Sequence, residues 1–111
     1  MVYDLESRTQ VYCKNVILFC KKVKEDTVSR PIISQVVRSA GSIGANYIEA
    51  NECLGKKDFT HRLKISRKEA KETIFWLNNL ASITDSKELN ELIDEATQLK
   101  KILSSIIDKC S

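Results

Sequence analysis

The stretch RSAGSIGANYIEA, residues 38–50, decides the fold, because its small and apolar residues recur at the spacing of a helix. Over residues 30–54 the apolar positions recur every three or four residues, which predicts an amphipathic helix. Its apolar face consists of Ile33, Val36, Val37, Ala40, Ile43, Gly44, Tyr47, Ile48 and Leu54. Its polar stripe consists of Gln35, Arg38, Ser42, Asn46 and Glu49. Gly41 and Gly44 each cost about 1 kcal/mol relative to alanine inside a helix, so we expect a neighbouring helix to cross closely there.

Three further segments show the same period, and together they predict an all-α protein. The four predicted helices span residues 4–25, 30–54, 56–83 and 86–110. Core positions on the other three helices are Leu5, Thr9, Tyr12, Val16, Phe19, Val23, Phe59, Leu63, Ser66, Ala70, Thr73, Ile74, Leu77, Leu80, Leu89, Leu92, Ile93, Ala96, Leu99, Leu103, Ile106, Ile107 and Cys110. Connections of about two to six residues force consecutive helices to pack antiparallel. We therefore predict one domain over residues 1–111, an antiparallel up-down-up-down four-helix bundle.

Local signals mark the ends of these helices. Ser29 or a neighbouring residue is a candidate N-cap for helix two, and Pro31 suits its first turn, where a missing N–H costs nothing. Gly55 is expected to end helix two in a left-handed conformation. Asp85, with Glu88 three residues later, forms a capping-box pattern that is expected to begin helix four.

Composition excludes several classes of protein. The 111 residues are 42% hydrophobic and 30% charged, with three glycines and one proline, which favours long helices. The apolar runs are far shorter than the roughly 20 residues of a membrane-spanning helix, and the first residues, MVYDLE, lack the pattern of a secretory signal. The four cysteines have no CxxC spacing, which favours reduced thiols. We expect a cytoplasmic protein that does not enter a membrane.

No pattern in the sequence indicates catalysis. Because His61 is the only histidine, a Ser-His-Asp or Cys-His nucleophilic site would have to use it. His61 falls on the polar side of helix three. A di-iron bundle would need a carboxylate-x-x-His pair on each of two helices, and only Asp58 with His61 offers one. Neither a Walker loop nor a GxGxxG loop is present. We predict no catalytic residue, no metal site and no cofactor, and hence a protein that is not an enzyme.

Basic residues of helix three form the most informative surface pattern. Residues 56–72 contain seven Lys or Arg against three acids, a net charge of +4, whereas residues 85–111 contain four against six, a net charge of −2. A stripe of such residues can neutralise phosphates and bind nucleic acid largely independently of sequence. The alternative is an ordinary solvated helix face. The candidate nucleic-acid-binding residues are Lys57, Lys64, Arg67, Lys68 and Lys71, with His61 in the same stripe.

A second group of residues lies to one side of the core stripe of helix three. Trp and Arg are favoured at the centres of protein interfaces, so this flank is a candidate subunit interface. Its members are Arg62, Ile65, Glu69 and Trp76, with Glu72 beside them. Alternatively, Trp76 closes the bundle core. A competing function, a scaffold for another protein, would use this flank or the polar stripe of helix two.

The two central helices carry a recognisable pattern, RSAGSIGANYIEA at 38–50 followed by KDFTHRLKISRKEAKET at 57–73 and Trp76-Leu77. The chain resembles the bacterial four helix bundle protein family, also called the 23S ribosomal RNA intervening-sequence protein family, over essentially its whole length. Better-known members have Ser-Ile-Pro-Ser-Asn where this chain has SIGAN at 42–46. The resemblance implies a cytoplasmic four-helix bundle of unknown function that assembles into a ring-like homopentamer.

The accessory variability proteins of diversity-generating retroelements are relatives of that family. They bind nucleic acid and a reverse transcriptase through a basic surface without a catalytic site. The resemblance therefore implies that nucleic acid is the ligand and that a reverse transcriptase or another protein is a partner. It assigns the binding role to Lys64, Arg67, Lys68 and Lys71 of this chain.

Overall fold

Four α-helices account for most of the computed structural model, which describes residues 4–110. The helices are α1 (Leu5–Cys20), α2 (Ser29–Asn51), α3 (Lys56–Leu80) and α4 (Lys87–Lys109). They run up, down, up and down, so each helix packs against its neighbours along the chain, and α4 closes the bundle against α1. The predicted all-α four-helix bundle is therefore confirmed. Residues 1–3 and 111, the ends of the predicted domain, lie outside the described residues.

The first two helices are joined by a longer connection than the sequence pattern predicts, because α1 ends at Cys20 rather than near residue 25. The N–H groups of Lys22 and Val23 turn back to carbonyls three residues earlier, which tightens the chain into a turn. Val28, the neighbour of Ser29, occupies the N-cap position of α2, and the Asp26 Oδ1 accepts from the N–H groups of Val28 and Ser29 at 2.9 and 2.8 Å.

Two predicted helix caps are wrong, and α3 ends at Leu80 rather than at residue 83. Gly55 does not end α2, which already stops at Asn51; it precedes α3 in an extended conformation, with φ −124° and ψ 155°. Ser86 rather than Asp85 is the N-cap of α4, because the Ser86 hydroxyl accepts from the Leu89 N–H at 3.1 Å. Helix α4 therefore begins one residue later than predicted.

The hydrophobic core lies between the four helices and follows the predicted spacing on α1, α3 and α4. Fully or nearly buried apolar residues are Leu5, Tyr12, Val16, Phe19, Cys20, Val36, Ala40, Ile43, Ala50, Leu63, Ala70, Leu77, Leu80, Leu89, Leu92, Ala96, Leu99, Leu103 and Ile107. Two residues of the predicted apolar face of helix two are exposed instead: Ile48 lies at the edge of the crossing with α1, and Leu54 falls in the connection after α2. Ser39, which the apolar pattern omitted, is fully buried, and its hydroxyl is satisfied because it donates to the Gln35 carbonyl at 2.7 Å.

The glycines of α2 mark a close crossing with α1, as predicted. A Cβ added to Gly44 would lie 2.8 Å from the Thr9 Oγ1 and 3.0 Å from the Thr9 Cβ. At Gly41 the nearest atom would be the Cys13 Sγ, at an ordinary contact distance of 3.5 Å. On the other side of α2, the buried Ser66 hydroxyl donates to the Ile43 carbonyl at 2.6 Å and ties α3 to the same segment.

The remaining general expectations concern cysteines and membranes. Cys13, Cys20, Cys53 and Cys110 are all free, and burial raises the pKa of the Cys20 thiol to about 11, which keeps it protonated and unreactive. Among residues 4–110, no helix combines the length and the apolar character needed to cross a membrane.

Candidate nucleic-acid interface

Helix α3 positions the basic stripe on the side opposite its buried residues. Lys57, Lys64, Lys68 and Lys71 follow one another at spacings of seven, four and three, and all four side chains are exposed, as is His61 between the first two. At 1.5 Å of rise per residue, the row from Lys57 to Lys71 is about 21 Å long. The stripe defined by these five residues is called the basic stripe below.

The lysines of the basic stripe have no carboxylate partner in the described part of the chain. The ion pairs there join Arg8 to Glu95, Lys22 to Glu88, Arg30 to Glu25, and Arg38 to Glu69 and Glu72. Because the four lysines remain unpaired, their charges are not neutralised within the subunit. The stripe can therefore attract a polyanion, such as a nucleic-acid backbone, whose charges lie along the row of lysines.

Arg67 differs from the four lysines, although the sequence placed it beside them. It is half-buried, and its guanidinium donates to the Ser104 hydroxyl of α4 at 3.3 Å. It therefore lies where α3 meets α4, beside the basic stripe and less exposed than its lysines.

A shallow cavity with a volume of about 540 Å³ opens at the amino-terminal end of the stripe. It is lined by Lys56, Lys57, Thr60, His61, Lys64 and Cys110. Gly55 supplies no side-chain acceptor to the first turn of α3, so N–H groups of that turn add to the positive character of this end. The cavity thus brings two of the predicted binding residues, Lys57 and Lys64, together with Lys56.

The second predicted group lies on the flank of α3 that faces α2. Arg38 of α2 reaches across to this flank, where its guanidinium contacts the carboxylate of Glu69 at 3.3 Å and that of Glu72 more closely. Arg62 similarly donates to the Asn46 Oδ1 at 3.2 Å. Two members of the polar stripe of helix two are therefore engaged with α3, a contact that no spacing within either helix could have revealed.

Trp76 is half-buried on this flank and packs against the hydrophobic core. Its indole N–H donates to the Glu72 carboxylate at 3.3 Å. Ile65 is also half-buried. Arg62 and Glu69 of this flank therefore contact α2, and helical spacing places Ile65 and Trp76 on the same side of α3.

Phe75 is a surface residue that the sequence reasoning missed. It is 57% exposed and follows Lys71 by four residues, so it continues the basic stripe towards the carboxyl end of α3. Its ring meets that of Trp76 edge-on, with centroids 5.0 Å apart and planes at 83°. The i+4 spacing from Lys71 was the signal that could have identified it.

Within residues 4–110, no three His, Cys, Asp or Glu side chains come together in a way that could hold a metal ion. Glu88, Glu91 and Glu95 line a groove between α1 and α4, with a volume of 510 Å³, away from the basic stripe.

Comparison with known proteins identifies relatives of this chain. A family model described as 23S rRNA-intervening sequence protein matches residues 4–105. Among solved structures, the chain is similar to a protein of unknown function from the S23 ribosomal protein family of Bacteroides thetaiotaomicron VPI-5482. The two are 28% identical, with a TM-score of 0.83, over 94% of this chain and 98% of the other. No curated protein matches the chain.

Proposed function

The chain belongs to the 23S rRNA-intervening sequence protein family, and from that premise we propose that it is a non-enzymatic, homo-oligomeric bundle that binds nucleic acid through the basic face of α3. The observation that carries this proposal is the row of four exposed lysines without carboxylate partners, Lys57, Lys64, Lys68 and Lys71. The family description refers to a sequence within 23S rRNA, so RNA is the first nucleic acid to test.

The physical basis of binding is the release of counterions from phosphates. Each phosphate neutralised by a lysine contributes about −0.9 to the slope of log K against log salt for duplex DNA, and about −0.7 for single strands. Four lysines in one row therefore predict a slope of about −3 to −4 for each subunit. Because these contacts go to the backbone, they position the nucleic acid without selecting its sequence.

Charge reversal tests this proposal. The triple variant Lys64→Glu, Lys68→Glu and Lys71→Glu should weaken RNA binding by at least about tenfold and flatten the salt dependence, measured by fluorescence anisotropy.

The matched control for this test is Lys14→Glu, Lys21→Glu and Lys24→Glu. It makes the same change in net charge at exposed lysines outside α3. The control should retain most of the affinity. Equal losses in the two variants, or no loss in either, would show that the basic stripe is not the binding surface.

Binding without catalysis has its own test. No catalytic group was identified in the sequence, so RNA incubated with the protein at neutral pH, with or without Mg²⁺, should remain intact on a denaturing gel. RNA cleavage that co-purifies with the protein, and that persists in the lysine triple variant, would replace this proposal with an enzymatic one.

The proposed oligomer, a ring of five subunits in the cytoplasm, uses the flank of Arg62, Ile65, Glu69 and Trp76. A half-buried tryptophan beside polar residues is the composition that interface centres favour. Light scattering should give roughly five times the subunit mass of 12.6 kDa.

Ile65→Asp is the sharper variant for this interface, because Trp76 also packs against the core. It should reduce the mass to that of one subunit and leave the helical circular-dichroism signal unchanged. An unchanged oligomer would place the subunit contact elsewhere.

A protein-interaction scaffold is the second candidate function. It is favoured by the outer side of α1, where Val11 is 52% and Leu18 is 60% exposed. A reverse transcriptase or another protein would be the partner. A stoichiometric protein that is retained after nuclease treatment, and lost in Leu18→Asp, would favour the scaffold over nucleic-acid binding.

A further inference from the structure

Phe75 continues the basic stripe with an aromatic ring. It follows Lys68 by seven residues and Lys71 by four, so the three side chains lie on one face of α3. Single exposed apolar residues are common on protein surfaces and need no explanation by themselves. An exposed phenylalanine at the end of a row of unpaired lysines is different, because a positively charged surface combined with an aromatic face is what single-stranded nucleic acid binds.

The ring of Phe75 is held in place by its neighbour. Trp76 meets it edge-on at 5.0 Å and 83°, and Trp76 is itself fixed by the core and by its hydrogen bond to Glu72 at 3.3 Å. A ring already restrained in the free protein loses little side-chain entropy when a ligand stacks on it. Phe75 is therefore a pre-positioned surface for a planar group.

We propose that the basic stripe binds single-stranded nucleic acid, or an unpaired loop, with one base stacked on Phe75. The phosphates of the adjoining nucleotides then contact Lys71, Lys68 and Lys64. This inference rests on the proposed function and specifies the class of nucleic acid. In a duplex the base faces are covered by neighbouring bases, so only unpaired bases can reach an aromatic side chain in this way.

The length of the site follows from helix geometry. Phe75 lies about 27 Å from Lys57 along α3, which corresponds to about eight nucleotides at 3.4 Å per strand step. An oligonucleotide of about twelve nucleotides therefore covers the whole stripe, and one of about four nucleotides covers only Phe75 and the nearest lysines.

The experiment compares two labelled ligands, a uridine-rich single-stranded RNA of about twelve nucleotides and an RNA duplex of equal length, by fluorescence anisotropy at matched salt. Replacing Phe75 should weaken binding of the single-stranded RNA only. Phe75→Ala and Phe75→Leu should weaken single-strand binding by about 5- to 150-fold and leave duplex binding unchanged. The matched control is Leu18→Ala, at a residue of α1 with a similar exposure of 60%, and it should bind as the original protein does.

Tryptophan fluorescence gives an independent readout, because Trp76 is the only tryptophan in the chain. A base stacked on Phe75 lies next to the indole, so the single strand should quench the emission in a saturable way. The duplex should not, and Phe75→Leu should abolish most of the quenching by the single strand.

The outcomes separate this inference from the proposed function. If the lysine triple variant loses binding but Phe75 variants bind single strands normally, the stacking inference is overturned and the proposed function stands. A change of oligomeric mass in Phe75→Ala, with RNA affinity unchanged, would assign the ring to a protein contact and also overturn it. If the original protein binds neither ligand, both proposals fail.

Discussion

At the scale of single residues, Gly44 is the position where one added carbon has the largest expected effect. The Cβ of alanine would lie 2.8 Å from the Thr9 Oγ1, and Thr9 cannot easily move, since it is β-branched and its hydroxyl donates to the Glu6 carbonyl at 2.9 Å. We expect Gly44→Ala to lower the free energy of unfolding by about 1–3 kcal/mol, as overpacked core substitutions do. Urea unfolding at one fixed protein concentration measures this change.

Gly41→Ala is the matched control for Gly44→Ala, because it is the same substitution one helical turn earlier. Its Cβ would meet only the Cys13 Sγ, at 3.5 Å. The higher helix propensity of alanine should then make the protein more stable by up to about 1 kcal/mol. A similar loss of stability in both variants would show that the crossing of α1 and α2 is not closest at Gly44.

Asp26 gives a prediction about pH. The hydrogen bond from the Ser29 N–H has the largest effect and lowers the pKa of the Asp26 carboxyl below the ordinary value of 3.8. Desolvation opposes this effect, and a smaller contribution from the Val28 N–H also lowers the pKa. A carboxyl with a lowered pKa in the folded state stabilises the protein above its unfolded pKa, and this contribution disappears as pH falls through the folded pKa. Asp26→Asn should therefore be less stable than the original protein at neutral pH, and the difference should shrink at about pH 3. Urea unfolding at both pH values tests this; a difference that is equal at the two would contradict it.

At the scale of helices, the contact between α1 and α4 is the least extensive of those between neighbouring helices, and it includes polar bonds. The buried Tyr12 hydroxyl donates to the Leu92 carbonyl at 2.8 Å, and burial raises the pKa of Tyr12 above its ordinary value. Tyr12→Phe removes this bond, and the carbonyl keeps its place in the α4 hydrogen-bond ladder. We expect a loss of about 0.5–1.5 kcal/mol in the free energy of unfolding.

Tyr47→Phe is the control for Tyr12→Phe. The Tyr47 side chain also packs against the core, but its hydroxyl has no hydrogen-bond partner within residues 4–110. Its replacement should change the unfolding free energy by a few tenths of a kcal/mol at most, which is typical of substitutions that break no contact. If the two variants lose equal stability, the bond between Tyr12 and α4 contributes nothing of its own.

Helix periodicity predicted the elements well, because burial of one face fixes the spacing of apolar residues over many turns. The ends of the helices were harder to predict, because several residues in each connection could cap a helix and the backbone conformation decides which of them does. Ser86 caps α4 in place of Asp85, and Gly55 is extended, with no positive φ required.

At the candidate site, the row of lysines could be predicted because it lies within one helix. The approach of Arg38 to Glu69 depends on how two helices align, which neither helix encodes alone.

At the scale of the whole molecule, the unpaired basic charge is separated from the acidic groove. The basic stripe is on the exposed side of α3, whereas Glu88, Glu91 and Glu95 line the groove between α1 and α4, where Lys22 and Arg8 pair with Glu88 and Glu95. A net charge of only +3 conceals this separation. Because the local field, rather than the total charge, attracts a polyanion, a modest overall charge is compatible with a surface that binds phosphates.

The proposed oligomer makes a prediction about folding of the whole assembly. Because only folded subunits associate in the proposed oligomer, mass action stabilises the native state as protein concentration rises. For a pentamer, each tenfold increase in concentration should add about 1 kcal/mol per subunit to the apparent free energy of unfolding, and the urea midpoint should rise accordingly. Ile65→Asp, placed on the flank of α3 that faces α2, should abolish this dependence at concentrations where the subunits are separate. If the urea midpoint of the original protein stays constant over a hundredfold range of protein concentration, the bundle folds alone. The flank of Arg62, Ile65, Glu69 and Trp76 would then be a surface of the monomer.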